Sequence, residues 1–402
     1  MKIALAHDYL IQDGGAEKVL EVMQEIWPDA PTFTLFFDPE KLPQFEGRDI
    51  RTSFLQRMPL AGRKFQWYLT LMPTAVERLD LTDYDVVISS TSAFMKGLIT
   101  REDAIHICYC HTPTRYLWSD THSYVQDLRL PGFVKAFLPP VLSRLRIWDR
   151  HAAERVEHFV ANSGTIRGRI KKYYARQSAV IHPPVDTHRF FIHTGVRDYF
   201  VTGGRLVAYK RFDMVVDAFN RTGLPLKIFG SGPVEKELRR QARSNIEFLG
   251  RVSIEDQAEL YAKAKAFIHP QVEDFGITPV EAMAAGTPVI AYRKGGATET
   301  VVDGVTGEFF DEQSWEELAD HCIRFNQSRY DPLRIKEHAE RFSKDRFKED
   351  LQAFVEEKWE QRQHLEKQEL VFPPQLPRPN GRSSSGRAAS PSDRMDVRAD
   401  IF

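Results

Sequence analysis

Short apolar runs alternate with longer segments of helical period almost from end to end of this chain, and that alternation restricts its fold more than any other feature. In the first half the strand-like runs are Lys2–His7, Thr32–Phe37, Val86–Ser89, Ile105–Cys110, His158–Asn162 and Ala179–His182. Amphipathic segments such as Ala16–Ile26 and Leu142–Val156 separate several of them. Strands joined through helices pair in parallel by crossovers, so the pattern predicts an α/β, doubly wound parallel sheet.

At Ile181-His182-Pro183-Pro184-Val185-Asp186 the alternation breaks, because two prolines cannot sit inside a central strand. It restarts with Tyr199–Thr202, Leu226–Phe229, Ile246–Leu249, Ala266–His269 and Val289–Tyr292. Two Rossmann-like domains are therefore expected, residues 1–184 and residues 185–345, facing a central cleft. A charged helix over 346–370, with Phe347, Leu351, Phe354, Val355 and Trp359 as its apolar stripe, is a candidate to cross back to the first domain. Residues 371–402, rich in Pro, Ser and Gly, carry too little apolar surface to offset the entropy of ordering and read as a disordered tail.

At 402 residues the chain is too long for one small core. A formal net charge of −1 argues against a dedicated nucleic-acid binder, so no nucleic-acid partner is expected. Cys108, Cys110 and Cys322 form no disulfide framework, which favours a reducing compartment. The N-terminus lacks the apolar core of a signal peptide, and no run approaches about 18 apolar residues. The expected location is the cytoplasm, with a peripheral position at the inner face of the plasma membrane left open.

Three segments carry candidate chemistry. Asp13-Gly14-Gly15-Ala16-Glu17 lies between the first strand and its helix, where paired glycines let backbone N–H groups approach a phosphate. A plain strand-to-helix turn accounts for it equally well. Thr202-Gly203-Gly204-Arg205 through Lys210-Arg211 occupies the matching turn of the second half, and Arg205 and Lys210 suit a diphosphate. Gly230-Ser231-Gly232-Pro233 supplies a second close-approach turn. In Glu273-Asp274-Phe275-Gly276-Ile277-Thr278-Pro279-Val280-Glu281, Thr278 reads as an N-cap with Pro279 at N1 and Glu281 at N3, a capping box. That account leaves Glu273, Asp274 and Gly276 unexplained. Together they offer carboxylates for sugar hydroxyls and bare N–H groups for a phosphate.

The spacing Glu273 to Glu281 resembles the E-x7-E motif of glycosyltransferase family 4, retaining enzymes of the GT-B fold. Phe275-Gly276, Ala285-Gly286-Thr287-Pro288, Gly295-Gly296, Gly14-Gly15, Arg205 with Lys210, and Gly230-Ser231-Gly232-Pro233 fit the same pattern over roughly residues 1 to 365. The resemblance implies that Gly14 and Gly15 approach the donor from the N-domain side. It has Arg205 and Lys210 hold the diphosphate, Glu273 bind sugar hydroxyls, and backbone N–H groups near Phe275, Gly276 and Ile277 assist. Gly230 and Gly232 belong to the donor turn, Glu281 accepts from the ribose hydroxyls, and Val252 sits against the base. His111, in Cys110-His111-Thr112-Pro113, matches the histidine that contacts the transferred sugar; alone, a strand-end histidine is more often structural.

The opening His7-Asp8-Tyr9, the run His111–Trp118-Ser119-Asp120 and Lys210-Arg211-Phe212-Asp213 look most like mannosyltransferases of bacterial polysaccharide and O-antigen synthesis. The resemblance thus implies GDP-mannose as donor and a glycan or lipid-linked saccharide as acceptor. A UDP-sugar transferase of the same fold is the alternative. A nucleotide-sugar epimerase, a sugar phosphorylase and a non-catalytic sugar-binding protein are weaker rivals, and an NAD oxidoreductase lacks its glycine fingerprint. No cofactor and no protein-bound metal are expected. Asp83-Tyr84-Asp85 precedes a strand and reads as its entry turn, while Cys108 and Cys110 share one strand face without a second ligand pair. Two segments, 51–68 and 135–155, mix cations with aromatics and suit either an anionic membrane surface or packing on the sheet.

Overall fold

Parallel strands buried on both faces need nearly continuous apolar sequence, and the central strands of this chain have it. The computed structural model describes residues 1–121 and 132–371. Its first sheet contains β1 (Ile3–His7), β2 (Thr32–Thr34), β3 (Ile50–Thr52), β4 (Val86–Thr91), β5 (Ile105–Cys110), β6 (His158–Ala161) and β7 (Ser178–Val180), in the order β3-β2-β1-β4-β5-β6-β7. The second contains β8 (Tyr199–Gly203), β9 (Leu226–Phe229), β10 (Ile246–Gly250), β11 (Ala264–His269), β12 (Val289–Tyr292) and β13 (Gly307–Phe310), in the order β10-β9-β8-β11-β12-β13. All neighbouring pairs are parallel, with β1 in register with β4 so that His7 lies opposite Ser90.

In each sheet the strand order reverses once, between β1 and β4 and between β8 and β11. Open α/β sheets bind ligands outside the carboxyl ends of the strands at such a reversal. The segments after β1, β4, β5, β8 and β11 thus become the site walls.

Several boundaries differ from the sequence reading for physical reasons. The run Thr32–Phe37 leaves the ladder after Thr34, where the Thr34 hydroxyl turns to the Asp8 and Phe36 carbonyls. The strand expected at Ala179–His182 is the short edge strand β7. Ile50–Thr52 and Gly307–Phe310 were not anticipated, being too short or too polar to stand out. The helix expected from Leu142 begins at Gly132 and carries Pro139 and Pro140 within it.

Met1–Trp359 forms one compact unit that holds both sheets. The helix Lys344–Val371 begins in it, and its Phe347, Leu351 and Val355 are buried in the N-domain core with Leu5, Leu20 and Val160. Lys344 and Lys348 both reach Glu25, at 2.6 and 2.7 Å. Residues 360–371, which belong to the second unit, continue that helix. From residue 372 on, the proposed tail lies outside the described residues. No helix among the described residues is long and apolar enough to cross a membrane.

Candidate functional site

The N-domain wall is built at the ends of β1, β4 and β5. Gly14 caps the helix Gly15–Ile26 in extended conformation, and Gly15 opens it. A Cβ on Gly15 would lie 3.3 Å from Ile277 Cδ1, so this turn meets the second domain directly. Asp8, 4% exposed, is a buried carboxylate whose oxygens accept from the Thr91 hydroxyl and from the backbone N–H groups of Ser92, Ala93, Phe94 and Met95 at 2.6–2.9 Å. Four amides spent on one carboxylate hold the loop at Ser92–Ala93, which lines the cleft. His111 stands one residue past β5, with its Nε2 2.8 Å from the Ser90 hydroxyl and its ring in a T-shaped contact with Tyr109. Burial, then the neighbouring His7, pushes the His111 pKa down to about 3, so the ring is a neutral hydrogen-bonding group.

Opposite it, the loop after β11 leads into the helix Ile277–Ala284. Gly276 takes the N-cap position at φ +90°, a conformation that glycine alone adopts freely. The expected capping box is therefore not formed. Thr278 is the second residue of the helix rather than its cap, and Glu281 is well inside it. Among the described residues, Thr278 Oγ1 is buried without a partner, as are Gln271 Oε1 and both ring nitrogens of His269. His269 is fully buried, its pKa lowered to about 4 by burial, and its Nε2 lies 3.5 Å from where a Gly276 Cβ would be. Native interiors leave few polar groups unsatisfied, and of these residues Thr278 also borders the cavity described next, while His269 Nε2 lies close to Gly276.

Between the walls lies a cavity of about 870 Å³, bordered by Gly15, His111, Lys210, Glu273, Phe275, Gly276, Ile277 and Thr278. That volume is of the size that takes a small organic ligand. Lys210 Nζ is 2.7 Å from Glu273 Oε1. Burial alone raises the Glu273 pKa, but Lys210 and His269 overcome it, and the carboxylate is held below its ordinary range. Two residues read separately, one for phosphate and one for sugar, thus form one ion pair. Glu281 opens instead on a smaller adjoining cavity of about 110 Å³ with Lys18 and Gln257, and Ile277 borders both cavities. Burial raises the Glu281 pKa against the opposing effect of Lys18 and of its hydrogen bonds from Tyr261 and Gln257.

Other predicted residues stand further back. Arg205 is exposed, and its guanidinium has no hydrogen bond or ion pair among the described residues. Gly14 is half-buried behind Gly15 and borders neither cavity. Gly230 and Gly232 line neither cavity. A Cβ on them would fall 1.8 Å from the Gly204 carbonyl oxygen and 2.1 Å from that of Leu206, so these glycines let two turns pack backbone to backbone. Val252 packs against the C-domain core. Asp274, read as a partner for sugar hydroxyls, is instead taken by Arg115 and Arg169, the latter at 2.7 Å. Asp85 binds the Lys2 amide and Arg101, as its place at a strand entry requires.

Sequence reasoning missed His269, Gln271 and the set His7, Glu17 and Ser90 beneath His111. Period-two alternation along β11 gives His269 the same side as Phe267, and nothing local distinguishes it from a core residue.

The chain matches the family model described as glycosyl transferases group 1 over residues 187–367 and that of glycosyltransferase family 4 over residues 14–189. It is 28% identical over 254 residues to the O-antigen chain mannosyltransferase RfbU of Salmonella typhimurium, covering 56% of this chain and 69% of that one. It is 33% identical over 177 residues to a GDP-mannose-dependent alpha-(1-6)-phosphatidylinositol monomannoside mannosyltransferase of Mycolicibacterium smegmatis, covering 36% and 46%. Against other curated relatives the matched share of their length is 58% and 31%. Among solved structures, HepE of Anabaena in complex with UDP superposes with a TM-score of 0.66 at 19% identity, covering 89% of this chain and 100% of that one.

Proposed function

This chain belongs to the family 4 glycosyltransferases, built on the GT-B fold, and from that premise we propose that it is a retaining enzyme that moves mannose from GDP-mannose to a glycan or lipid-linked saccharide. The observation that carries the reading is that the Lys210–Glu273 pair and the start of the helix Ile277–Ala284, with the Thr278 hydroxyl unpartnered among the described residues, border one cavity. A diphosphate at that N-terminus meets bare N–H groups, the positive end of the helix dipole and the Lys210 ammonium. Arg205, exposed and unpaired, adds a further cation from the neighbouring turn. The sugar then lies against Glu273 and His111, while the nucleoside extends past Ile277 to Glu281 and Lys18. The mannosyl identity draws on the two mannosyltransferase relatives.

The bond from the anomeric carbon to the diphosphate breaks with charge developing on the leaving oxygen, which the lysine and helix end stabilise without a bound metal. That oxygen takes the proton of the acceptor hydroxyl, and the new bond forms on the same face, so the α configuration is retained. Calorimetric titration tests the donor: GDP is expected to bind at least about tenfold more tightly than UDP or ADP, about 1.4 kcal/mol. Selective binding of UDP overturns the mannose reading, and a covalent glycosyl-enzyme intermediate overturns the mechanism. Transfer is expected to continue undiminished in EDTA.

A lipid-linked acceptor brings the enzyme to a membrane surface, and the reading includes peripheral contact at the inner face of the plasma membrane. The second reading, a UDP-sugar transferase on the same scaffold, differs only at the nucleoside end of the cleft.

A further inference from the structure

Beneath His111 runs a line of buried polar side chains that the donor reading does not use. Ser90 Oγ is 2.8 Å from His111 Nε2 and 3.1 Å from His7 Nδ1, and His7 Nε2 is 3.7 Å from Glu17 Oε1. His7 is 3% exposed, Glu17 5% and Ser90 0%. Parallel pairing of β1 with β4 sets His7 opposite Ser90, and pairing of β4 with β5 brings His111 two residues beyond Tyr109, Ser90's partner. Glu17 reaches His7 from the first turn of the helix Gly15–Ile26. A Cβ on Gly14 would lie 2.8 Å from Glu17 Oε2, so the glycine turn and that carboxylate are neighbours.

We propose that Glu17, His7 and Ser90 form a relay that fixes the tautomer of His111 and presents its Nδ1 as a hydrogen-bond acceptor to a hydroxyl of the transferred sugar. The sugar contact rests on the functional reading above; the relay itself does not. A neutral imidazole has one donor and one acceptor nitrogen, a hydroxyl has one proton to give, and a carboxylate only accepts. The Glu17 carboxylate is too distant for a hydrogen bond, yet in a buried setting its field still favours the proton on His7 Nε2. His7 Nδ1 then accepts, and the single proton of Ser90 goes to it. The Ser90 lone pairs take the Nε2 proton of His111. What remains is the lone pair on His111 Nδ1, which has no partner among the described residues, on a ring that borders the main cavity. These three are positioning residues: they touch no substrate and act through His111.

Ring-nitrogen chemical shifts of labelled histidine in the free protein at near-neutral pH test the relay, with H7Q and H111Q assigning the two signals. The expected result is the Nε2–H tautomer at both His7 and His111. Glu17→Gln is expected to move the His111 signals when residue 90 is Ser or Thr, and to leave them unmoved in a Ser90→Ala background. Circular dichroism checks that each variant folds, and the S90T pair alone carries the test where S90A does not. A His7 imidazolium, an Nδ1–H His111, or His111 signals indifferent to E17Q in the Ser90 protein overturn the relay. In transfer assays S90A is expected to lower kcat/KM for the donor roughly tenfold, with S90T restoring most of it. Failure of every nucleotide sugar to react overturns the functional reading alone, because the tautomer is read without donor.

Discussion

His106 and His269 are both fully buried, with pKa values pushed down to about 3 and about 4, in each case first by burial. In an unfolded chain an imidazole titrates near about 6.5. The folded values are lower, so the fold binds the neutral ring. That contribution is complete above about pH 6.5 and is lost as pH falls toward the folded pKa, because the unfolded state takes up protons that the native state refuses. Between about pH 6.5 and 5 each such ring costs on the order of 2 kcal/mol. Urea unfolding across this range is expected to show a loss that is smaller by about that amount in His106→Gln, whose side chain can still meet Ser89. An equal loss in wild type and H106Q would show that His106 does not hold its proton state as described. His269 differs: neither of its nitrogens has a partner among the described residues, and it sits next to the helix end where the donor diphosphate is proposed.

At the scale of elements, the segment from Phe54 to Leu71 departs from the ordinary pattern of a surface. Trp67 is 67% exposed and Leu60 53%, with Arg57, Arg63 and Lys64 exposed among them. Lys64 stands over the Trp67 ring at 5.9 Å, and Phe65, Gln66 and Leu69 of the same segment border the main cavity. Apolar side chains fringed with cations at the mouth of a cleft suit an anionic bilayer that delivers a lipid-linked acceptor. The second segment with this composition lies on the helix Gly132–Glu154, where Ile147 is exposed and the side chains of 132–137 are outside the described residues. Flotation with anionic vesicles is expected to carry the protein at low salt and to release it at high salt. The double variant R63E/K64E should weaken binding by on the order of 2 kcal/mol, about thirtyfold. Absence of binding at both salt concentrations would sink the membrane contact.

For the whole molecule the question is what holds the two domains against each other. Asp274 of the second domain accepts from Arg115 and Arg169 of the first. Glu299 accepts from the Gly164 and Thr165 amides at 2.6 and 2.9 Å, at the start of the helix Gly164–Tyr174. A carboxylate there is favoured by the helix dipole as well as by the amides. Apolar touches between the domains include Gly15 on Ile277 and the ring of His182 against Phe275. Charged hydrogen bonds of this kind contribute on the order of 2 kcal/mol each. Asp274→Asn with Glu299→Gln is therefore expected to favour open forms, seen as a larger radius of gyration in solution scattering. Unchanged scattering would assign closure to the apolar contacts and the returning helix.

Much of this protein was determined locally and could be read from the chain. The bounds of β5, β9 and β12 are legible to the residue, because mostly apolar short runs between helical segments read as buried strands. The Pro183-Pro184 break and the glycine turns likewise follow from backbone chemistry that neighbours cannot alter. The motif residues Gly15, His111, Lys210 and Glu273 come together on one cavity. What the tertiary structure alone decided is which partner each of those groups has. Lys210 faces Glu273, Asp274 is spent on two arginines, and Thr278 is an unsatisfied helix residue rather than a cap. Glu17, His7, Ser90 and His111 lie up to 104 positions apart, and only the parallel register of three strands, with the first turn of the helix Gly15–Ile26, brings them together. Local pattern encodes what a residue can do by itself; pairing across a sheet and between domains sets what it faces, and the chemistry of a buried group depends on what it faces.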